Sequence, residues 1–196
     1  MHSCIVGVDE AGRGPLAGPV AIGVVAAEEG FDILAAFPGL NDSKKLSEKK
    51  REALFALLQE AIRDGRVRAT VTLVSAAAID GKGIAHALIH GVAKGVRALL
   101  PNPEEGKVFL DGSLRAPAEY AQETVIGGDA TVPAIMLASI AAKVTRDRYM
   151  KKLDAAYPAY GFAIHKGYGT KAHCAAIRQH GPSAVHRRSF LRNILP

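Results

Sequence analysis

Val6-Gly7-Val8-Asp9-Glu10-Ala11-Gly12-Arg13-Gly14-Pro15-Leu16-Ala17-Gly18-Pro19-Val20 is the stretch on which the reading of this chain turns. A short apolar run, Cys4 to Val8, ends in two adjacent carboxylates, Asp9 and Glu10. The tight turn Gly12-Arg13-Gly14-Pro15 follows, and then a second apolar run from Pro19 to Ala27. An apolar run bounded by turn residues reads as a buried strand. Side chains alternate faces along a strand, so Asp9 and Glu10 can share one site only where the strand finishes. The competing reading is a pair of solvated loop acids beside a hairpin turn. Asp9 directly extends a buried run, and buried charges need partners, which favours a metal or catalytic site.

Working outward, 196 residues suit a single domain with a sizeable core, and a composition of 48% hydrophobic and 22% charged residues is ordinary for a globular protein. No window reaches the roughly 18 apolar residues of a membrane span. Met1-His2-Ser3-Cys4 lacks the head of a secretory signal, and Cys4 and Cys174 form no disulfide framework, so a cytoplasmic location is expected. The net charge of +6 fits a polyanionic partner. From Lys143 onward there are eleven Lys/Arg against two acids, a local +9, while the first 142 residues carry −3. The basic surface is therefore expected in the C-terminal third.

Periodicity supplies the remaining elements. Leu54, Leu57, Leu58, Ala61 and Ile62 share one helical face within 47–64, and Gly65 stands where a C-terminal cap belongs. Val67, Ala69, Val71 and Leu73 alternate with polar residues, which predicts a strand with one buried face. A helical turn over 75–80 and a helix from Ile84 to before Pro101 come next. Lys107 to Leu110 reads as a strand ending in Asp111-Gly112, and 123–126 as a short strand leading to Gly128-Asp129. Helices are expected over about 136–157 and 170–179. Strands first and helices between them indicate an α/β protein, a mixed sheet flanked by helices, with basic C-terminal helices at one edge.

Asp9, Glu10, Asp111 and Asp129 all sit at the ends of apolar runs or in glycine turns. If their segments adjoin, the four carboxylates converge and repel one another unless a hard divalent cation, Mg²⁺ or Mn²⁺, joins them. Two such ions can activate water and stabilise a leaving oxygen in phosphodiester hydrolysis. Spacing alone leaves this open against ordinary loop acids, with Asp147 a rival for the fourth ligand. Ser139, Lys143 and Arg146 share one helical face opposite Leu137, Ile140, Ala141 and Val144. That face suits successive phosphates, or else plain solvation. Tyr168, between glycines in a basic stretch, suits stacking on a base or sugar, or else half-burial in a loop. His165, His173, His180 and His186 lack zinc spacing and read as structural or phosphate-binding. Gly12-Arg13-Gly14 with Gly18 is no dinucleotide fingerprint: the spacing is wrong and a strand follows. No G-x-x-x-x-G-K-[ST] phosphate loop occurs. A non-catalytic nucleic-acid binder is the runner-up, disfavoured because acids facing phosphate gain it nothing.

Several motifs together resemble bacterial ribonuclease HII: Val8-Asp9-Glu10-Ala11-Gly12-Arg13-Gly14-Pro15, Asp42-Ser43-Lys44-Lys45-Leu46, Leu110-Asp111-Gly112, Gly128-Asp129, the 138–147 segment around Ser139 and Lys143, His165-Lys166-Gly167-Tyr168-Gly169-Thr170, and His186-Arg187-Arg188-Ser189-Phe190. The resemblance spans nearly the whole chain in the right order. It implies a ribonuclease H-like fold over 1–196 as one catalytic domain, with residues from about 136 to 196 forming its nucleic-acid-binding portion. It implies hydrolysis of the RNA strand of RNA/DNA hybrids and incision at ribonucleotides embedded in duplex DNA, by a monomer using two Mg²⁺ or Mn²⁺ ions. By motif, Asp9, Glu10, Asp111 and Asp129 are the catalytic and metal-binding set. Gly12, Arg13 and Gly14 sense the 2′-hydroxyl. Tyr168 stacks on the following sugar, and Lys44, Lys45, Ser139, Lys143 and Arg146 complete the substrate contacts. One departure is Gly127, where many relatives have lysine.

Overall fold

The computed structural model describes residues 4–194, so the reading of Met1-His2-Ser3 lies outside the described residues. The chain opens with β1 (Cys4–Ala11) and β2 (Val20–Glu28), followed by a short α1 (Ile33–Ala36) and α2 (Glu48–Arg63). Next come β3 (Val67–Val74), α3 (Ala76–Lys82), α4 (Ile84–Leu99), β4 (Gly106–Asp111) and β5 (Gln122–Val125). The last part is helical: α5 (Gly128–Thr131), α6 (Pro133–Ala156), α7 (Phe162–His165) and α8 (Lys171–His180). The expected α/β arrangement is present, a five-stranded mixed sheet of order β3-β2-β1-β4-β5. β1 pairs antiparallel with β2 and parallel with β4, and β4 pairs parallel with β5.

Helix ends follow the local chemistry. Ser47 caps α2, its hydroxyl accepting from the Lys50 N–H, and Ser75 and Thr170 do the same for α3 and α8. Pro133 begins α6, three residues earlier than the apolar pattern suggested, because proline fits the first helical turn, where no N–H is needed.

Each face of the sheet has its own core. Val6, Val8, Val20, Ile22 and Val24 pack with Val92 and Val96 of α4. On the other face, Val25 and Ala27 join Leu54 and Leu58 of α2 and Leu137, Ile140 and Val144 of α6. With both faces covered, β3 departs from the one-sided pattern. Thr72 and Val74 are buried, whereas Leu73 at the edge is exposed. α6 lies exceptionally close to the sheet. A Cβ on Gly7 would stand 2.1 Å from the Ala134 carbonyl carbon, and one on Gly23 would stand 2.2 Å from the Ala138 oxygen. The two glycines let the helix backbone touch the strands, and this fixes the height at which α6 presents Ser139 and Lys143.

Candidate active site

Val8 and Leu110 are partners on the parallel strands β1 and β4, both facing α4. One residue further on, Asp9 and Asp111 therefore both face the α6 side, at adjoining strand ends. Glu10, on the opposite pleat, reaches the site from the strand terminus and lies 3.7 Å from the Arg13 guanidinium. Asp9 is almost fully buried and accepts the Glu10 N–H at 2.7 Å. Burial pushes its carboxyl up to about 8; a hydrogen bond from Ser139 opposes the shift, and Glu10 and Asp111 add to it. The Glu10 carboxyl is also raised, by burial first, with Arg13 opposing and Asp111 reinforcing.

Asp129 enters from α5, just after β5, and its N–H donates to Asp111 Oδ1 at 3.3 Å. Its carboxylate takes the Lys44 ammonium at 2.7 Å. The 41–46 loop thus brings a positive charge directly against Asp129. That loop is pinned by Arg51, whose Nη1 donates to the Ser43 and Leu46 carbonyls, and by the Ser43–Ser139 hydroxyl contact of 2.8 Å. Among the described residues, no three His, Cys, Asp or Glu side chains are already grouped as a metal-holding set. Lys44 occupies Asp129 instead.

One cleft of about 230 Å³ collects Asp9, Glu10, Asp111, Gly12, Arg13, Gly14, Lys44, Ser139, Lys143, Arg146 and Tyr168. Asp129 stands behind Lys44, and Lys45 is an exposed residue outside the cleft lining. Asp147 is buried and engaged by Lys143 Nζ at 2.8 Å and by Arg51 at 3.9 Å, so its charge belongs to an ion-pair group. Tyr168 is 46% exposed, with the Arg146 guanidinium 6.0 Å from its ring centre.

The expected row of Ser139, Lys143 and Arg146 proves unequal. Lys143 is part-exposed at the cleft, while Ser139 is spent on Ser43 and Asp9. Arg146, 1% exposed, donates through Nε to the Pro19 carbonyl at 2.9 Å and through Nη2 to that of Ala17 at 3.3 Å. The helix face that spacing presents as open to phosphate or solvent is roofed by the 41–46 loop and by residues 17–19, contacts that helical spacing cannot reveal.

Sequence reasoning missed Arg187. Fully buried, it donates to the carbonyls of Gly12 (2.7 Å), Arg13 (2.8 Å) and Gly18 (3.0 Å). Its only signal was membership of the His186-Arg187-Arg188-Ser189-Phe190 motif, which looks like an exposed basic tail. His173, His186 and His165 form a packed group, His173 and His186 sharing a 3.0 Å Nε2–Nε2 contact and His165 stacking on His173 at 4.3 Å.

A family model described as Ribonuclease HII matches residues 6–193. The chain belongs to the ribonuclease HII family. Ribonuclease HII of Geobacillus thermodenitrificans is 50% identical over 187 residues, covering 95% of this chain and 68% of that protein. Ribonuclease HII of Coxiella burnetii is 47% identical over 186 residues, covering 95% and 87%. Among solved structures, the ribonuclease H2 of Pyrococcus horikoshii matches with a TM-score of 0.78 at 28% identity, over 97% of this chain and 96% of the other. As a ribonuclease HII-family member with the ribonuclease H-like fold, the chain is a metal-dependent endoribonuclease. No helix among the described residues is long and apolar enough to cross a membrane.

Proposed function

We propose that the chain hydrolyses the RNA strand of RNA/DNA hybrids and incises at ribonucleotides embedded in duplex DNA. Water adds to phosphorus as the P–O3′ bond breaks, leaving 5′-phosphate and 3′-hydroxyl ends. The observation that carries this reading is the single cleft holding Asp9, Glu10 and Asp111 beside the Gly12–Gly14 backbone and the exposed Tyr168.

Asp9, Glu10, Asp111 and Asp129 form an all-oxygen donor set, and burial and mutual repulsion already raise the proton affinity of Asp9 and Glu10. Such a set fits hard divalent cations, Mg²⁺ or Mn²⁺, two per site in this reading. When bound, the ions supply Lewis-acid polarisation of the phosphate and activation of water. With Asp129 engaged by a cation, the Lys44 ammonium, on a side chain that is 77% exposed, would be free to face phosphate. Lys143 offers a second charge to the backbone. Ser139 and Arg146 act on the protein, the first orienting Asp9 and the second holding the 17–19 carbonyls. Gly12 to Gly14 bring peptide groups close to the ribose, whose 2′-hydroxyl can donate and accept a hydrogen bond. Tyr168 stacks on the next sugar, so that the site prefers an RNA-to-DNA junction. The unit that does this is a monomer, one catalytic domain.

The test is duplex DNA carrying one labelled ribonucleotide, incubated with Mg²⁺, with Mn²⁺ or with excess EDTA. Incision with either ion and none with EDTA is expected. Tight binding with no cleavage under any ion would turn the reading over to a non-catalytic binder.

A further inference from the structure

Arg187 and Arg146 bring two buried guanidiniums to one loop, and both spend their donors on backbone carbonyls. Burying such charges is expensive unless they are paired, and a well-packed apolar pair would give more stability. Asp80 and Asp147 are the acids that offset Arg187 and Arg146 respectively, and neither bonds to them. What the arrangement secures is the direction of the peptide groups. A trans peptide is planar, so a carbonyl and the following N–H point opposite ways, and no cis bond occurs among the described residues. With the Gly12 and Arg13 carbonyls held inward on Arg187, the N–H groups of Arg13 and Gly14 must point outward, towards the cleft. None of the backbone or side-chain hydrogen bonds among the described residues uses either N–H.

The rest of the C-terminal segment is built to hold Arg187 still. The Arg187 N–H donates to the Leu16 carbonyl, and the Gly18 N–H donates to that of Val185, both at 2.8 Å. Ala17 and His186 form a β-bridge. Asp80, at the end of α3, anchors the next turn by accepting the Arg188 N–H at 2.7 Å and the Ser189 N–H at 3.0 Å. A lysine has the same charge but no planar fork, and it cannot serve three carbonyls in fixed directions.

We propose that Arg187 is a positioning residue for substrate choice: by gripping the inner carbonyls of the 12–18 loop it aims the Arg13 and Gly14 N–H groups at the ribose, so the C-terminal segment sets the preference for RNA over DNA. This rests on the ribose-reading role proposed above for that loop. The test measures Kd in EDTA, where nothing is cut, for an RNA/DNA hybrid and an all-DNA duplex of the same sequence, with thermal melts confirming folding. For Arg187→Lys the preference for hybrid falls at least fivefold while all-DNA affinity stays within twofold. Millimolar guanidinium, but not methylammonium, restores preference to Arg187→Ala. Arg188→Ala, which removes an exposed charge next door, leaves the preference unchanged. Asp80→Ala removes the half-buried anchor of the next turn while leaving the Arg187 guanidinium and its three carbonyl partners in place, and it lowers the preference in the same direction as Arg187→Lys. A folded Arg187→Lys with intact preference overturns the proposal, as does an unaffected Asp80→Ala if the arginine variants do not fold. A wild type that binds both duplexes equally would instead remove the ribose-reading role itself.

Discussion

Gly12 and Gly14 flank one arginine and are glycines for different reasons. Gly12 has φ of +88°, and a Cβ there would lie 1.9 Å from Arg146 Nε, so the fold itself demands it. At Gly14 a Cβ would meet no atom within 4 Å, and the φ is not in the left-handed region. The sequence alone suggests that both glycines serve the turn; the structure shows that only the first does so by steric necessity. Gly14→Ala is therefore expected to keep the melting temperature within about 2 °C, as for a neutral surface change. It should still cost tenfold or more in kcat/KM, because the added methyl stands where the sugar approaches. A variant as active as wild type would leave Gly14 without a role in substrate approach. Asp9→Asn tests the acids. Turnover should drop on the order of a hundredfold or more, while hybrid affinity in EDTA holds or improves as a charge facing phosphate is removed. If Asp147→Asn abolishes cleavage and Asp129→Asn does not, the fourth ligand is Asp147. The sequence made the acids legible because strand-end carboxylates break an apolar run. It could not show that Lys44 bonds Asp129, a contact across 85 positions.

At the scale of elements, the most consequential contact is α6 against β1 and β2. Gly7→Ala or Gly23→Ala would press a methyl into helix backbone, which cannot give way as a side-chain tip can. Overpacking of this kind costs about 1–3 kcal/mol, or roughly 3–10 °C in a chain of this length, and activity should fall with it as Ser139 shifts from Asp9. An unchanged melting temperature would show that α6 can lift without penalty. Periodicity locates α2, α4 and α8 to within a residue or two, because each has an apolar stripe and clear end signals, Ser47 and Thr170 as caps of α2 and α8 and Gly83 and Pro101 bounding α4. It described only half of α6, whose second face is covered by distant loops. The C-terminal histidines give an element-scale dependence on pH. His186 is pulled down to about 4 by burial, reinforced by His173 and His165, and the rings of Tyr160 and Phe162 also pack on it. An unfolded histidine titrates near 6.5, so below that pH the unfolded chain binds a proton that the folded chain refuses. The contribution of His186 is therefore intact above about pH 6.5 and declines towards pH 4. Melting temperatures from pH 7 to 4.5 should fall less steeply for His186→Gln than for wild type. Parallel curves would mean that His186 is not the group responsible.

For the whole molecule, the charge asymmetry legible in the sequence overstates what a polyanion meets. Of the eleven basic residues from Lys143 onward, Arg146 and Arg187 are buried on carbonyls, and Lys143, Arg148 and Lys151 are paired with Asp147, Glu52 and Glu48. Lys166 bonds the Ala163 carbonyl. Lys152, Lys171, Arg178, Arg188 and Arg192 are exposed and have no acid partner among the described residues. Counting charges along the chain sees the sum but not which members fold inward, since that depends on loops such as 12–19 arriving from the other end of the sequence. The consequence is measurable as salt dependence. Each phosphate contact contributes roughly 0.9 to the slope of log K against log salt for a duplex. Lys143, part-exposed at the cleft, should flatten that slope by up to about 0.9 when changed to Ala, with Asp147 tempering the effect. Arg146→Ala should leave the slope unchanged while lowering both the melting temperature and the affinity for hybrid, because what it loses is the hold on Ala17 and Pro19. Binding would be titrated by fluorescence anisotropy from 50 to 300 mM salt. Equal flattening by the two variants would return Arg146 to the phosphate-binding row that helical spacing alone suggests.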